Sequence, residues 1–226
     1  MPLLETFEQP NIKTLRIQVV EIIRRAILRG EFKPGDRIVE ADIAKHLGIS
    51  RGPIREAMRQ LEQESLVTYH PHKGCFVTTL SAQDAWEIYT LRAELEAFSL
   101  QMSGGRVGEE SLIIMESLAG KMVERAEAND VESMVGIDLE FHSLICRASG
   151  HKRLYQTWSS LNSHIWALFF TVTNAKVVNL VEAARRHFDI VQALRTGEKE
   201  RACESVREHY LQTARRLLQV LSEKSG

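Results

Sequence analysis

Asp138 and His142 stand four residues apart in a segment that repeats apolar residues at helical spacing. Residues i and i+4 share one helix face, and Met134, Val135 and Ile145 turn that face inward. His187 precedes Ile190, Val191 and Leu194 on another apolar stripe, and His209 lies between Val206 and Leu217, beside Thr213. Four polar side chains therefore occupy registers meant for a core. A buried carboxylate without a partner costs several kcal/mol, so something must compensate Asp138. One Asp and three His converging from three helices suit a divalent transition metal with positions left open, zinc first, with nickel or manganese as alternatives. Spacing alone leaves two simpler readings beside it. One is a core histidine satisfied by hydrogen bonds; the other is an Asp-x-x-x-His pair bonded on a helix surface. His46, His70, His72, His151 and His164 lack this placement, although His164 lies near an apolar face and could border the same cavity. A metal-dependent enzyme could use the same four residues. It would need a base beside the metal-bound water, and the chain offers no His-Glu-x-x-His and no carboxylate beyond Asp138 that spacing places there.

A second chemistry lies in Ser50-Arg51-Gly52-Pro53-Ile54-Arg55-Glu56-Ala57-Met58-Arg59. On a helix opened by Ser50, the outward side carries Arg51, Gly52, Arg55 and Arg59. An early arginine offers two donors to a guanine edge or pairs with a phosphate, and Gly52 and Pro53 keep that end low in profile. His72, Lys73 and Gly74 form the tip of a ribbon suited to an adjacent minor-groove or backbone contact. Taken singly, each of these basic residues reads as ordinary solvated surface.

The elements that must position these groups are legible in order. Leu15 to Leu28 repeats Val19, Ile22, Ile23, Ala26 and Ile27 as a first helix, stopped by Gly30 and followed by the turn Lys33-Pro34-Gly35-Asp36. Glu40 to Leu47 is a short second helix closed by Gly48. Ser50 caps a third, running to about Glu64, with Pro53 in its first turn. Ile43, Ala44, Leu47, Ile49, Ile54, Ala57, Met58 and Leu61 would lock the second and third helices together. Leu66 to Tyr69 and Cys75 to Thr79 make a two-stranded ribbon. After Leu80 the pattern is helical throughout, opened by the capping box Ser81-Ala82-Gln83-Asp84. Six helices are expected, over 81–102, 108–128, 130–148, 151–172, 175–196 and 198–222. The expected fold class is thus mainly α: an N-terminal winged helix-turn-helix, residues 1–78, and a C-terminal antiparallel all-helical bundle, residues 79–226.

Composition narrows the classes further. Hydrophobic residues make up 44% and charged residues 26%, ordinary for a globular chain with a real core, and the net charge of −1 does not by itself announce a nucleic-acid binder. Residues 1–78 are slightly basic and the remainder slightly acidic. Three distant cysteines argue for reduced thiols. The first 16 residues lack the apolar core of a signal peptide, and Ile165 to Phe170 falls well short of a membrane span. A cytoplasmic, nucleoid-associated protein with no membrane contact is expected.

Gly48-Ile49-Ser50-Arg51-Gly52-Pro53-Ile54-Arg55-Glu56-Ala57-Met58-Arg59-Gln60-Leu61 closely resembles the signature of the GntR family of transcription regulators. Gly30 to Asp36 resembles that family's turn before its first short strand, and Gly74 to Val77 its wing. The resemblance implies that Ser50, Arg51, Gly52 and Arg55 are DNA-contacting positions and Gly74 the wing tip. Gly52 replaces the usual threonine, and Ala41 stands where some relatives place an arginine. The second half resembles the helical FCD ligand-binding domain of the FadR subfamily, and its helix count points to the VanR-like branch. Asp138, His142, His187 and His209 fit the metal pattern of that domain, and Arg92 to Glu96 its R-x-x-L-E. The resemblance implies a homodimer on double-stranded operator DNA, usually a repressor, controlled by a small carboxylate effector that reaches the metal. Arg92 would grip the effector's far end, with Asn162 as a further pocket residue. A metal-responsive repressor, in which the ion is itself the signal, is the nearest alternative. An acyl-thioester ligand is not expected.

Overall fold

The computed structural model describes residues 12–174 and 179–223. The chain forms two compact units, Met1–Thr79 and Leu80–Gly226. The expected helical start over 175–178 lies outside the described residues, as do residues 1–11.

In the first unit, α1 (Ile12–Leu28) is followed by β1 (Arg37–Ile38), α2 (Glu40–Leu47), α3 (Arg51–Gln63), β2 (Val67–His70) and β3 (Gly74–Val77). Val19, Val20, Ile23 and Ile27 of α1 meet Ile54, Ala57, Met58 and Leu61 of α3, all buried. Ile22, expected inward, is instead 48% exposed: the buried stripe runs through Val19, Val20, Ile23 and Ile27, and Ile22 lies beyond its edge. Arg24 fastens α1 to the end of α3 with Nη2 donating to both carboxylate oxygens of Glu64, at 2.9 and 2.7 Å. Gly48 ends α2 at φ 66°, a left-handed turn that costs glycine nothing and lets α3 start at a steep angle. The sheet order is β1-β3-β2, all antiparallel, with Arg37 opposite Phe76 and His70 opposite Gly74. The ribbon therefore has a third strand; two residues are too few for periodicity to reveal it.

The second unit is helical: α4 (Ala82–Met102), α5 (Glu109–Glu127), α6 (Val131–Ala148), α7 (Lys152–Ser160), α8 (Asn162–Asn174), α9 (Leu180–Arg185), α10 (His187–Arg195) and α11 (Lys199–Glu223). Ser81 and Asp84 form the expected capping box, with Asp84 N donating to Ser81 Oγ at 3.1 Å and Ser81 N to Asp84 Oδ2 at 2.8 Å. α4 packs chiefly on α11 and α5 on α6. Among the described residues there are eight helical segments, not six, because two expected helices break. At Leu161 and Arg186 the ladder tightens to i→i+3: His164 N donates to Leu161 O and Asp189 N to Arg186 O, each at 3.1 Å. Neither break carries a proline or glycine, so nothing in the sequence marks it. Cys75, Cys146 and Cys203 are buried and free.

Candidate functional site

The two halves of α6 chemistry arrive together because Asp138 and His142 lie one turn apart on a buried face with Met134, Val135, Phe141 and Ile145. His187 opens α10 directly after the break at Arg186, and His209 projects from the middle of α11. One ligand-capable atom from each of the four lies within 4.8 Å of every other. Across an ion with bonds of about 2 Å, opposite donors stand about 4 Å apart, so a modest inward movement would complete a coordination shell.

Hydrogen bonding fixes which nitrogen faces the cluster. His187 Nδ1 lies 3.0 Å from the carbonyl of Ala184, which only accepts, so Nδ1 carries the hydrogen. In the neutral ring Nε2 then points a lone pair at Asp138 Oδ1, 3.1 Å away. Two acceptors at that distance require a cation between them, a proton or a metal ion. His142 repeats the arrangement. Its Nδ1 donates to Glu96 Oε2 at 2.7 Å, and its Nε2 is buried with no partner, 3.9 Å from the same Asp138 oxygen. His209 Nδ1 is likewise buried and unpartnered. Orienting a ring by its far nitrogen, as in His142 and His187, is how proteins prepare metal-binding imidazoles, and the residues fit such an ion.

Charge follows the same geometry. Burial pushes the Asp138 carboxyl upward, but the bond to His187 and the neighbouring His142 and His187 rings outweigh it and hold it below the usual carboxylate range. Burial, and then the His187 and His142 rings, keep His209 well below an ordinary histidine, so it stays neutral and able to ligate.

Behind the cluster stands a fully buried polar wall. Glu96 on α4 accepts from His142, from Trp158 Nε1 at 2.7 Å and from Tyr210 Oη at 2.5 Å. Arg92, one turn earlier, stacks 4.2 Å from the Trp158 ring centre, donating through Nη1 to Asn162 Oδ1 at 3.0 Å and through Nε to Tyr210 Oη at 3.3 Å. Arg92 and Asn162 thus bind one another within this wall. The cavity beside the cluster is about 30 Å³ and is lined by Asp138, His187, His209, Tyr89, Arg186 and Thr213 among others; Arg92, Asn162 and His164 are not in its lining. Glu96 was visible in the sequence, three residues after Ala93 and four before Leu100 on the inward stripe, and its charge hid it. Arg186 carried the same signal, three residues after Ala183 and four before Ile190, and its charge hid it in the same way. His151, one of the histidines set aside, caps α7 by accepting from Leu154 N at 3.1 Å.

In the first unit, Arg51, Gly52, Arg55 and Arg59 are all exposed on α3, and His72 and Lys73 at the ribbon tip. Arg55 is held loosely, its Nε 3.8 Å from Glu40. Ser50 occupies the N-cap position in an extended conformation, but its side chain caps nothing. This departs from the expected cap, and the cause is local: the third helical residue is Pro53, which has no N–H to donate. The Ser50 hydroxyl therefore stays free at the mouth of α3. His72 takes φ 63° at the tip after Pro71, the left-handed geometry a tight turn needs there. Arg37 on β1 is an exposed basic residue beside the wing that periodicity missed; a Cβ on Gly74 would lie 3.4 Å from its guanidinium.

A three-helix head with an exposed arginine-bearing helix and a β wing, followed in one chain by a helical sensor-type bundle, is the plan of a DNA-binding transcription regulator. The chain belongs to the GntR family. Residues 15–77 match the bacterial regulatory proteins of the gntR family, and residues 87–212 match the FCD domain. It is 32% identical over 210 residues to the HTH-type transcriptional regulator YdhC of Bacillus subtilis, covering 92% of each chain. The gluconate operon transcriptional repressor of Bacillus licheniformis is 22% identical over 198 residues, 86% of this chain and 81% of its own. The solved structure of McbR/YncC from Escherichia coli shares the fold, with a TM-score of 0.72 over 94% of this chain and 99% of that one at 21% identity. These relatives are transcriptional regulators, not enzymes. No helix among the described residues is long and apolar enough to cross a membrane.

Proposed function

We propose that this regulator binds operator DNA as a homodimer and that a small carboxylate effector, docked on a divalent metal held by Asp138, His142, His187 and His209, changes its operator affinity. The observation that carries the reading is the orientation of His142 and His187: each ring is tied at Nδ1, and each leaves Nε2 facing the Asp138 carboxylate. Zinc suits the donor set best, with nickel or manganese next. A bound ion would supply a fixed positive charge on which a carboxylate could dock. Glu96 holds His142 in register, Tyr210 and Trp158 hold Glu96, and Arg92 with Asn162 completes the wall that keeps water out.

On the DNA side, Arg51 and Arg55 would enter the major groove, with Ser50 and the open first turn at Gly52 meeting phosphate. His72, Lys73 and Gly74 would follow the wing into the neighbouring groove or backbone. Metal analysis of purified protein, followed by operator mobility shift with and without small acids, tests the whole chain of inference. Stoichiometric metal that disappears in His142→Ala, together with an acid-dependent change in operator affinity, is expected. Protein that holds no metal and responds to no acid overturns the reading.

A second reading has an observation in its favour. The cavity, about 30 Å³, holds an ion and about two waters without any effector, which suits a repressor that senses the metal itself. Chelation separates the two: it leaves operator affinity unchanged if the metal only docks an acid, and changes it if the ion is the signal.

A further inference from the structure

The cavity beside the histidine cluster contains a cation that, among the described residues, has no carboxylate within ion-pair distance. Arg186 sits in the break between α9 and α10, next to His187, and shares the lining with Asp138, His187, His209 and Thr213. Its guanidinium reaches across to α11, where Nη1 donates to Gln212 Oε1 and Nη2 to Thr213 Oγ1, both at 3.3 Å; Nε is buried with no acceptor. Both bonds are long and both go to neutral groups. Glu182, one turn earlier on α9, is bonded to Arg216 at 2.6 Å, and among the described residues Arg186 forms no ion pair.

Charge and spacing then define a ligand. Asp138 is the one carboxylate in the lining, while Glu96 and Arg92 offset each other behind it. A divalent ion together with Arg186 would leave the pocket with a strong excess of positive charge. Thr213 and His209 lie four residues apart on α11, so the place where Arg186 rests and the metal edge are separated by one turn, about 5–6 Å. A short acid with an anionic group at each end spans that distance. A guanidinium fork is the group best shaped to take the second end.

We propose that the effector is a small dianionic acid, one group on the metal and the other in the fork of Arg186, and that Arg186 sets the preference for dianions over monoanions. This rests on the metal-docked effector proposed above. Binding exchanges the two long bonds to Gln212 and Thr213 for charge-assisted ones, and the cavity, about 30 Å³, widens as those side chains part to admit the acid.

The test uses the full-length protein loaded with Zn²⁺ and titrated calorimetrically with acetate, lactate, malonate, succinate and 2-phosphoglycolate. The dianions are expected to bind about tenfold or more tightly than the monoanions. Comparing malonate and succinate with phosphoglycolate identifies the second group as carboxylate or phosphate. In Arg186→Gln the dianions should lose that advantage while acetate and lactate are unaffected, and Zn²⁺ affinity, measured separately, should not weaken. Should Arg186→Gln fail to fold, Arg186→Lys carries the test, with a reduced preference expected. The inference is overturned if wild-type protein binds both classes alike, or if the variant keeps the preference. Failure to take up Zn²⁺, or to bind any acid of either class, sinks the metal-docked effector itself and this inference with it.

Discussion

At the scale of single residues, the bundle spends its buried polar groups on one place. Glu96 accepts three hydrogen bonds and fixes His142, so Glu96→Gln presents an amide N–H₂ or a weaker acceptor to three donors. Metal affinity should fall by about 10–100-fold, the usual cost of losing an outer-shell partner, with a lower unfolding midpoint as well. Calorimetric titration with Zn²⁺ checks the first and thermal unfolding the second. His209 gives a pH dependence with a definite sign. Its folded form, buried beside two other rings, resists a proton, so below about pH 6.5 the unfolded chain binds a proton that the fold refuses. The stability of metal-free protein should therefore fall as pH drops from 7 to 5. Asp138 acts in a lower window: its depressed carboxyl stabilises the fold above the ordinary carboxylate range and loses that contribution only as pH falls through its folded value. Thermal midpoints across pH 5–8, above the Asp138 window, for wild type and His209→Gln isolate the histidine, and an unchanged slope in the variant would contradict the assignment to His209.

At the scale of elements, α3 keeps its packing residues and its proposed recognition residues on different faces. Its inward residues are fully buried and its arginines are exposed. Ser50→Ala removes a hydroxyl that caps nothing, so the thermal midpoint should stay within the range of ordinary surface substitutions while operator affinity drops. Arg51→Ala and Arg55→Ala should weaken operator binding more, with the fold intact by circular dichroism. The opposite behaviour is expected where α4 gives way to α5. Gly105 has φ 79°, and a Cβ there would lie 2.4 Å from the Lys199 backbone at the start of α11. Gly105→Ala should therefore cost about 2–4 kcal/mol, combining left-handed strain with backbone overlap, as chemical denaturation would measure.

At the scale of the whole molecule, the proposed regulation needs two heads presented in a fixed arrangement and a pocket that biases it. Leu91, Phe98 and Met102 stand 46–49% exposed along one side of α4, a stripe whose covering by a second copy would place the bundles about a two-fold axis. For the proposed homodimer, Phe98→Asp is expected to give monomer in light scattering and weaker operator binding, with the fold intact by circular dichroism. Metal and effector together should raise the thermal midpoint of the bundle, because both bind the folded state. Their effect on DNA can be no larger than their differential affinity for the two arrangements of the heads.

The sequence by itself determined the head, the helical character of the second unit, and the four residues of the cluster. Those features are written in local patterns: the Gly48-to-Leu61 signature, a proline in a first turn, a capping box at Ser81, histidines in apolar registers. Only the tertiary structure revealed what those patterns face. Arg92 carried the expected charge, but packing turned it onto Trp158 and Asn162, away from the cavity. Arg186 stood in an inward register, between Ala183 and Ile190, but only the closed bundle showed that it meets the neutral Gln212 and Thr213 there. A helical register states which side of one helix is buried. Which partner lies across the gap, and whether a charge meets a counter-charge there, depends on contacts between segments far apart in the chain, and those exist only once the bundle has closed.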